Sequence, residues 1–177
     1  MRLVCMRHGQ TNYNLLGLCN ADPGRDVHLT PTGRQQAQQA AEQLRDKRLE
    51  LILISELPRT RQTAMIVNQY HNVEIQVQAA INDIRSGFED RPVVEYQAAI
   101  AADPLHSKFN NGESLLEHKQ RIIGFLADLQ QHAQDSILVV AHEETLRVIC
   151  AYFNHLADED MLTLHFKNCE VLTFKLP

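Results

Sequence analysis

The sequence predicts an α/β sandwich built on a mostly parallel sheet, and three observations carry the prediction. Strand-length apolar runs alternate along the chain with segments of helical periodicity. The runs 50–54 (ELILI) and 137–141 (ILVVA) are nearly or wholly apolar, as strands covered on both faces must be. The length of 177 residues, 44% hydrophobic and 22% charged, fits one domain spanning 1–177 with a real core. No internal repeat or linker divides it, and the near-average composition argues against disordered, collagenous and low-complexity classes.

The elements follow in order. Residues 2–6 (RLVCM) form a short buried strand, and a polar, turn-rich stretch runs from Gly9 to Leu29. Thr30-Pro31 is an N-cap followed by a first helical position. Ala37, Ala40, Ala41 and Leu44 then recur at helical spacing. Residues 50–54 make the second strand; Ser55 to Pro58 breaks it, and a helix runs to about Tyr70. Residues 73–78 (VEIQVQ) alternate strictly, which suits a strand near an edge. The Gly-, Pro-, Asn- and Asp-rich stretch 81–112 holds one short helix near 93–102. A long helix over about 114–133 carries the stripe Leu115, Ile122, Leu126 and Leu129. Residues 137–141 are the most apolar strand, expected at the sheet centre. Leu146, Ile149, Cys150 and Phe153 mark the next helix, and 162–166 and 170–176 are two further strand candidates.

The formal charge of -5 gives the surface no general attraction for nucleic acid or anionic membrane, so any anion site must be a local basic pocket. Cys5, Cys19, Cys150 and Cys169 form no C-x-x-C pair and are expected to act as small core hydrophobes. The N-terminus turns polar too soon for a signal peptide, and no apolar run approaches membrane-spanning length. A reduced, soluble, cytoplasmic protein is the expectation.

Ligands of open α/β sheets bind beyond the carboxyl ends of the strands. Arg7, His8 and Gly9 follow the first strand, Ser55 and Arg59 the second, Asp83 the third, and His142 the strand 137–141. Any one of these would ordinarily be a surface or capping residue. Two His, two Arg and a carboxylate at one edge, from four strand exits, are harder to explain that way. Two converging guanidinium groups call for an anion between them, and their forks match phosphate oxygens. Arg charges disfavour protonation of a nearby imidazole, and a neutral His beside phosphate is a nucleophile. Gly9 permits close backbone approach. The second His can stabilise charge building on the phosphoryl oxygens, and a carboxylic acid can protonate the leaving alcohol and then activate water.

These residues carry a family resemblance. MRHGQTNYN at 6–14 resembles the R-H-G-x-T-x-x-N signature of the histidine phosphatase superfamily, the phosphoglycerate mutase-like family. LTPTGRQQA at 29–37 resembles its L-T-x-x-G-x-x-Q-A segment, and SELPRTRQTA at 55–64 its S-P-L-x-R-x-x-Q-T-A segment, with Glu56 for Pro. INDIRSGFED at 81–90, NGES at 111–114 and VVAHEETLR at 139–147 are similar to three further segments, in the correct order. The resemblance implies a three-layer α/β/α sandwich with a mixed, mostly parallel sheet. It also implies a phosphohistidine mechanism that needs no metal or cofactor. His8 would be the nucleophile, Arg7, Arg59 and His142 would complete the phosphate clamp, and Asn14 would be a further pocket donor.

The family acid/base position falls on Asp83, where Glu is usual. Asp is shorter by about 1.5 Å, one carbon–carbon bond. Glu143, in place of the usual Gly after the second His, is the rival acid; Glu144 and Glu89 follow. As a fixed anion in the pocket Glu143 would weaken phosphate binding. His142-Glu143 suggests a zincin, but the required second His is Leu146. His28, His71 and His118 are expected to face solvent or cap, and Arg147 to form a structural ion pair. Arg85, Arg91 and Lys108 are solvated charges that could reach a substrate beyond its phosphate. Glu113 and Ser114 are expected to organise the start of the long helix.

The expected activity is hydrolysis of a small phosphorylated metabolite. A cofactor-dependent phosphoglycerate mutase-type isomerase, a protein phosphohistidine phosphatase and a catalytically weakened phosphate-binding module are the alternatives. The expected partner is a small phosphorylated substrate, with neither nucleic acid nor membrane; a homodimer is compatible with the sequence.

Overall fold

The computed structural model describes residues 1–176. Five strands form one sheet: β1 (Arg2–Arg7), β2 (Leu51–Ile54), β3 (Glu74–Val77), β4 (Ser136–Ala141) and β5 (Val171–Lys175). Their spatial order is β3-β2-β4-β1-β5, with β4 in the centre. β1 and β2 lie parallel to β4, β3 lies parallel to β2, and only β5 is antiparallel. The sheet is therefore mixed and mostly parallel.

Strand parity explains the layers, because alternate side chains point to opposite faces. Leu3, Cys5, Leu51, Leu53, Ile137 and Val139 face α5 (Leu115–Leu129) and α6 (Glu143–Phe153), where Ile122, Phe125, Leu126, Leu146 and Ile149 meet them. Val4, Met6, Ile52, Ile54, Leu138 and Val140 face α2 (Pro31–Leu44) and α3 (Pro58–Asn68). Ala37, Ala40 and Ala41 are buried on that second face, where small side chains let α2 pack closely.

Most predicted elements are present within a few residues. Thr30 caps α2 by accepting from the Gly33 amide, and α4 (Val93–Ile100) is the short helix of the irregular stretch. Two expectations fail. The stretch from Gly9 to Leu29 contains a short helix, α1 (Asn12–Leu16), closed by a capping box between Thr11 and Asn14. Of the two tail candidates only the second is a strand: Glu159–Thr163 is a 3-10 turn, and the chain beyond it to Phe166 is irregular. All four cysteines are free; three are buried and Cys150 is half-buried. Among the described residues no helix is long and apolar enough to cross a membrane.

The loop after β1 is held against α2 by two glycines. A Cβ on Gly33 would lie 2.0 Å from the Gln10 carbonyl oxygen, and one on Gly9 2.5 Å from the Gly33 carbonyl oxygen. Both obstacles are backbone, which cannot step aside as a side chain can. Gly33→Ala is therefore expected to lower stability by about 3 kcal/mol or more, the upper end for overpacking. Thermal unfolding of the variant measures this, and a change within error would refute the contact.

Candidate active site

The register of β1 and β4 builds the centre of the site. Arg7 pairs with Ala141, so His8 and His142 leave adjacent parallel strands side by side, and the His8 amide donates to the Ala141 carbonyl at 3.0 Å. Their ring centroids are 5.3 Å apart. Ser55 leaves the neighbouring strand β2, and the turn Ala79–Ile81 after β3 delivers Asp83. The sequence-predicted residues Arg7, His8, Asn14, Arg59, Asp83 and Glu143 all line one cavity of about 430 Å³; His142 lies buried beside it.

His8 is oriented by its neighbour. Its Nδ1 lies 2.7 Å from the Gly9 carbonyl oxygen, which can only accept, so the ring proton sits on Nδ1 and Nε2 carries the lone pair. The Arg59 Nε donates to that Nε2 at 3.2 Å. Burial holds the imidazole well below its ordinary value of 6.5, aided by the Arg59, His142 and Arg7 groups. A neutral ring whose Nε2 lone pair is engaged only by the Arg59 N–H, which a phosphoryl oxygen can take over, is the form a nucleophile requires. Gly9 also donates its amide to Thr63 Oγ1 at 3.0 Å. Its missing Cβ is required by the approach of Gly33, a packing reason that the expectation of close approach to a ligand did not include.

His142 is fixed from behind. Its Nε2 lies 2.9 Å from Ser55 Oγ, which already accepts from the Leu57 amide. The Thr60 hydroxyl donates to the Leu57 carbonyl at 2.9 Å. Ser55 Oγ also lies 3.0 Å from Thr60 Oγ1, so its proton can go to either neighbour; the Asp83 carboxylate beside His142 Nδ1 favours the tautomer with the ring proton on Nδ1 and Ser55 donating to Nε2. That Nδ1 lies 3.5 Å from Asp83 Oδ2 and makes no hydrogen bond. Burial, followed by the Arg59 and other cationic neighbours, keeps this ring neutral as well.

Arg59 spans the pocket. Besides Nε on His8, its Nη2 donates to Asp83 Oδ2 at 2.7 Å and to the Asn20 carbonyl at 2.9 Å. Arg7 donates through Nη1 to the Phe166 carbonyl at 2.6 Å and pairs with Glu143 Oε2 at 2.7 Å. Four buried side-chain donors of this region have no partner: Arg7 Nε, Arg59 Nη1, His142 Nδ1 and Asn20 Nδ2. Unpaired buried donors are expensive, and their gathering at one spot is the signature of a site for a multidentate acceptor. Asn14 gives its amide oxygen to the Thr11 amide at 3.0 Å, leaving Nδ2 as its remaining donor on the cavity wall.

Glu143 reaches the cavity but is restrained. Its Oε1 pairs with Arg147 at 3.0 Å and lies 3.4 Å from His165 Nδ1. Arg147 thus makes the expected ion pair while also lining the cavity. Arg85, Arg91 and Lys108 do not line it; they pair with Glu113, Glu95 and Glu117. Asn20 was missed, since it lies in no recognisable motif and enters only through the folded path of the loop after α1. Among the described residues no cluster of His, Cys, Asp and Glu has metal-ligating geometry.

The loop carrying Asp83 is braced by a buried cluster. His118, expected at the surface, is fully buried, because it falls on the core face of α5. Its Nδ1 lies 3.5 Å from Glu113 Oε1, and Arg121 also pairs with Glu113. Arg121 Nη1 donates to the Ala80 and Asn82 carbonyls at 2.8 and 3.0 Å, and Glu113 accepts the Arg85 amide at 3.1 Å. Ser114 caps α5, whereas Glu113 ties that helix to the loop. Burial pushes the Glu113 carboxyl up, but hydrogen bonds from His118 and Arg121 outweigh it and bring it down to about 2. Its contribution is thus present above the ordinary value of 4.5 and is lost as pH falls toward about 2. Glu113→Gln is expected to cost roughly 3 kcal/mol at neutral pH, the lower end for breaking a buried pair. The deficit should shrink in acid, and a pH-independent difference in unfolding free energy would contradict the assignment.

Comparison with known proteins identifies the family. The profile of the histidine phosphatase superfamily (branch 1) matches residues 3–176. The adenosylcobalamin/alpha-ribazole phosphatase of Escherichia coli is 33% identical over 161 residues, 85% of this chain and 78% of that protein. Phosphoserine phosphatase 1 of Hydrogenobacter thermophilus is 28% identical over 161 residues, 85% of this chain and 75% of that protein. The crystal structure of the alpha-ribazole phosphatase from Shigella flexneri superposes with a TM-score of 0.89 at 28% identity, covering 100% of this chain and 91% of that one. With the profile spanning nearly every residue and the same architecture in its relatives, this chain belongs to the histidine phosphatase superfamily, branch 1, as a phosphatase.

Proposed function

We propose that the protein hydrolyses a small phosphate monoester through a phosphohistidine intermediate on His8. The observation that carries this reading is the set of unpartnered buried donors, Arg7 Nε, Arg59 Nη1 and His142 Nδ1, in the region of the unprotonated His8 Nε2. A phosphoryl group offers three oxygens to such donors while its phosphorus faces the lone pair. His8 Nε2 attacks phosphorus, the bond to the leaving oxygen breaks, and charge moving onto the phosphoryl oxygens is stabilised by donors already in place. Water then attacks the phosphohistidine, and the electron pair returns to Nε2. Asp83 holds Arg59 and faces His142, so both donors are aimed before substrate arrives.

The outer cavity favours a leaving group with an apolar side. Leu18, Val93, Tyr96, Ile100 and Leu162 line it, and its one further guanidinium, Arg147, is committed to Glu143. Relatives named for alpha-ribazole and phosphoserine support a small metabolite as the substrate. A second reading, a phosphate-binding module with weakened catalysis, draws on the Glu143 carboxylate seated on Arg7.

Incubation with an aryl phosphate in EDTA should release phosphate, and a metabolite panel should reveal one or a few preferred monoesters. Release that requires added metal would sink the mechanism. Binding of phosphate without turnover would favour the module. With phosphoglycerate, hydrolysis should exceed phosphoryl transfer between positions; a large excess of transfer would establish the mutase alternative.

A further inference from the structure

Four carboxylates compete to handle the proton of the leaving alcohol, and the structure separates them by what already holds them. Asp83 takes Arg59 Nη2 on Oδ2 at 2.7 Å and the Ile84 amide on Oδ1 at 2.9 Å, so both oxygens already accept charged or backbone donors. Glu143 is spread over Arg7 at 2.7 Å and Arg147 at 3.0 Å. Glu89 accepts the Ala21 amide at 2.7 Å and does not line the cavity. Glu144 does line it, from the second residue of α6, two positions after His142. Its side chain is 29% exposed, and Arg147 Nη1 stands off at 3.9 Å. Among the described residues its carboxyl makes no side-chain hydrogen bond.

We propose that Glu144 is the proton donor to the leaving oxygen and, after the alcohol departs, the base that activates water. The assignment rests on the phosphohistidine reading above and adds its missing proton carrier. As His8 Nε2 bonds to phosphorus and the ester P–O bond breaks, the Glu144 carboxyl proton moves to the leaving oxygen, giving a neutral alcohol and a carboxylate. That carboxylate takes a proton from water as the water oxygen attacks phosphorus and the N–P bond breaks. Phosphate is released, and Glu144 is protonated again.

The surroundings of Glu144 support a proton there near neutrality. Enclosure by protein raises the carboxyl first, the Asp83 charge next, and Glu143 further, against the lowering effect of Arg147; the result is about 7. Arg59, Cys19 and Tyr96 line the same cavity. A group that carries its proton near working pH can serve as acid and base in one cycle.

The test compares leaving groups. Glu144→Gln keeps the shape and removes the transferable proton. Single-turnover transfer to His8 from an alkyl ester, glycerol phosphate, should slow by about 10²–10⁴-fold. Transfer from p-nitrophenyl phosphate, whose leaving group needs no proton, should slow by less than about tenfold, and the phosphoenzyme should then accumulate for want of a base. The alkaline limb of the glycerol phosphate pH profile should vanish in the same variant. Asp83→Asn should slow both esters alike. Equal losses in Glu144→Gln, or an alkyl-selective loss in Asp83→Asn instead, would overturn the proposal while leaving phosphohistidine standing. Absence of label on His8 in the parent protein would overturn both.

Discussion

His8→Ala should lose turnover almost completely, with kcat falling by about 10⁴-fold or more, the scale seen when a covalent nucleophile is removed. Arg7, Arg59 and His142 remain in that variant, so phosphate or a slow substrate should still bind. The fold should also persist, because the loop is held by backbone: His8 donates its amide to Ala141, and Asn168 Nδ2 donates to the His8 carbonyl at 3.0 Å. Steady-state kinetics beside a thermal melt distinguishes lost chemistry from lost structure. In the parent protein the acid limb of kcat/KM should lie below pH 6.5, since burial, the two Arg side chains and the neighbouring His142 hold His8 neutral beneath its ordinary value. A limb at or above that value would mean that the ring is not in the environment described.

Arg59→Ala should be the next most damaging change. One side chain here touches the nucleophile, the carboxylate and the loop: Nε on His8, Nη2 on Asp83 and on the Asn20 carbonyl. Its remaining Nη1 is unpartnered. Removing one preorganised donor from a developing oxyanion costs about 10²–10³ in kcat. Losing a charged fork that also aims Asp83 should cost about 10³-fold or more in kcat/KM, with much of the loss in kcat. Arg59→Lys should recover little, because an ammonium cannot reach His8 and Asp83 together. Stability should fall by about 3 kcal/mol, since three hydrogen bonds of a buried guanidinium are lost while Asp83 keeps the Ile84 amide and some solvent. A variant with near-parental kcat would remove Arg59 from the account.

The layered fold was legible because strand parity and helical stripes are local properties. ILVVA at 137–141 named the central strand by being apolar on both faces, and alternation in VEIQVQ named β3, which stands at the edge. The pairing of His8 with His142 was legible through topology, since parallel strands bring their exits to one edge. What failed depends on tertiary neighbours. Helix α1 has no apolar period; it exists because Thr11 and Asn14 satisfy each other's amides. LTLHF at 162–166 alternates like a strand, but no neighbour pairs with it. The Phe166 carbonyl goes to Arg7 instead, and the Leu164 carbonyl to Arg147. His118 is buried because it falls on the same face of α5 as Leu115 and Ile122, a placement its polarity concealed. The contrast between Glu143, restrained by Arg7 and Arg147, and Glu144, whose carboxyl makes no hydrogen bond to another side chain among the described residues, lies in side-chain geometry that no spacing encodes.

The central claim is covalent chemistry at His8, and trapping tests it most directly. The protein, mixed with a radiolabelled phosphate monoester in EDTA and quenched in base within a single turnover, should carry label on the peptide containing His8. That label should be stable to alkali, labile to acid and absent from His8→Ala. Turnover with no label, or label on a serine, cysteine or carboxylate instead, would contradict the account.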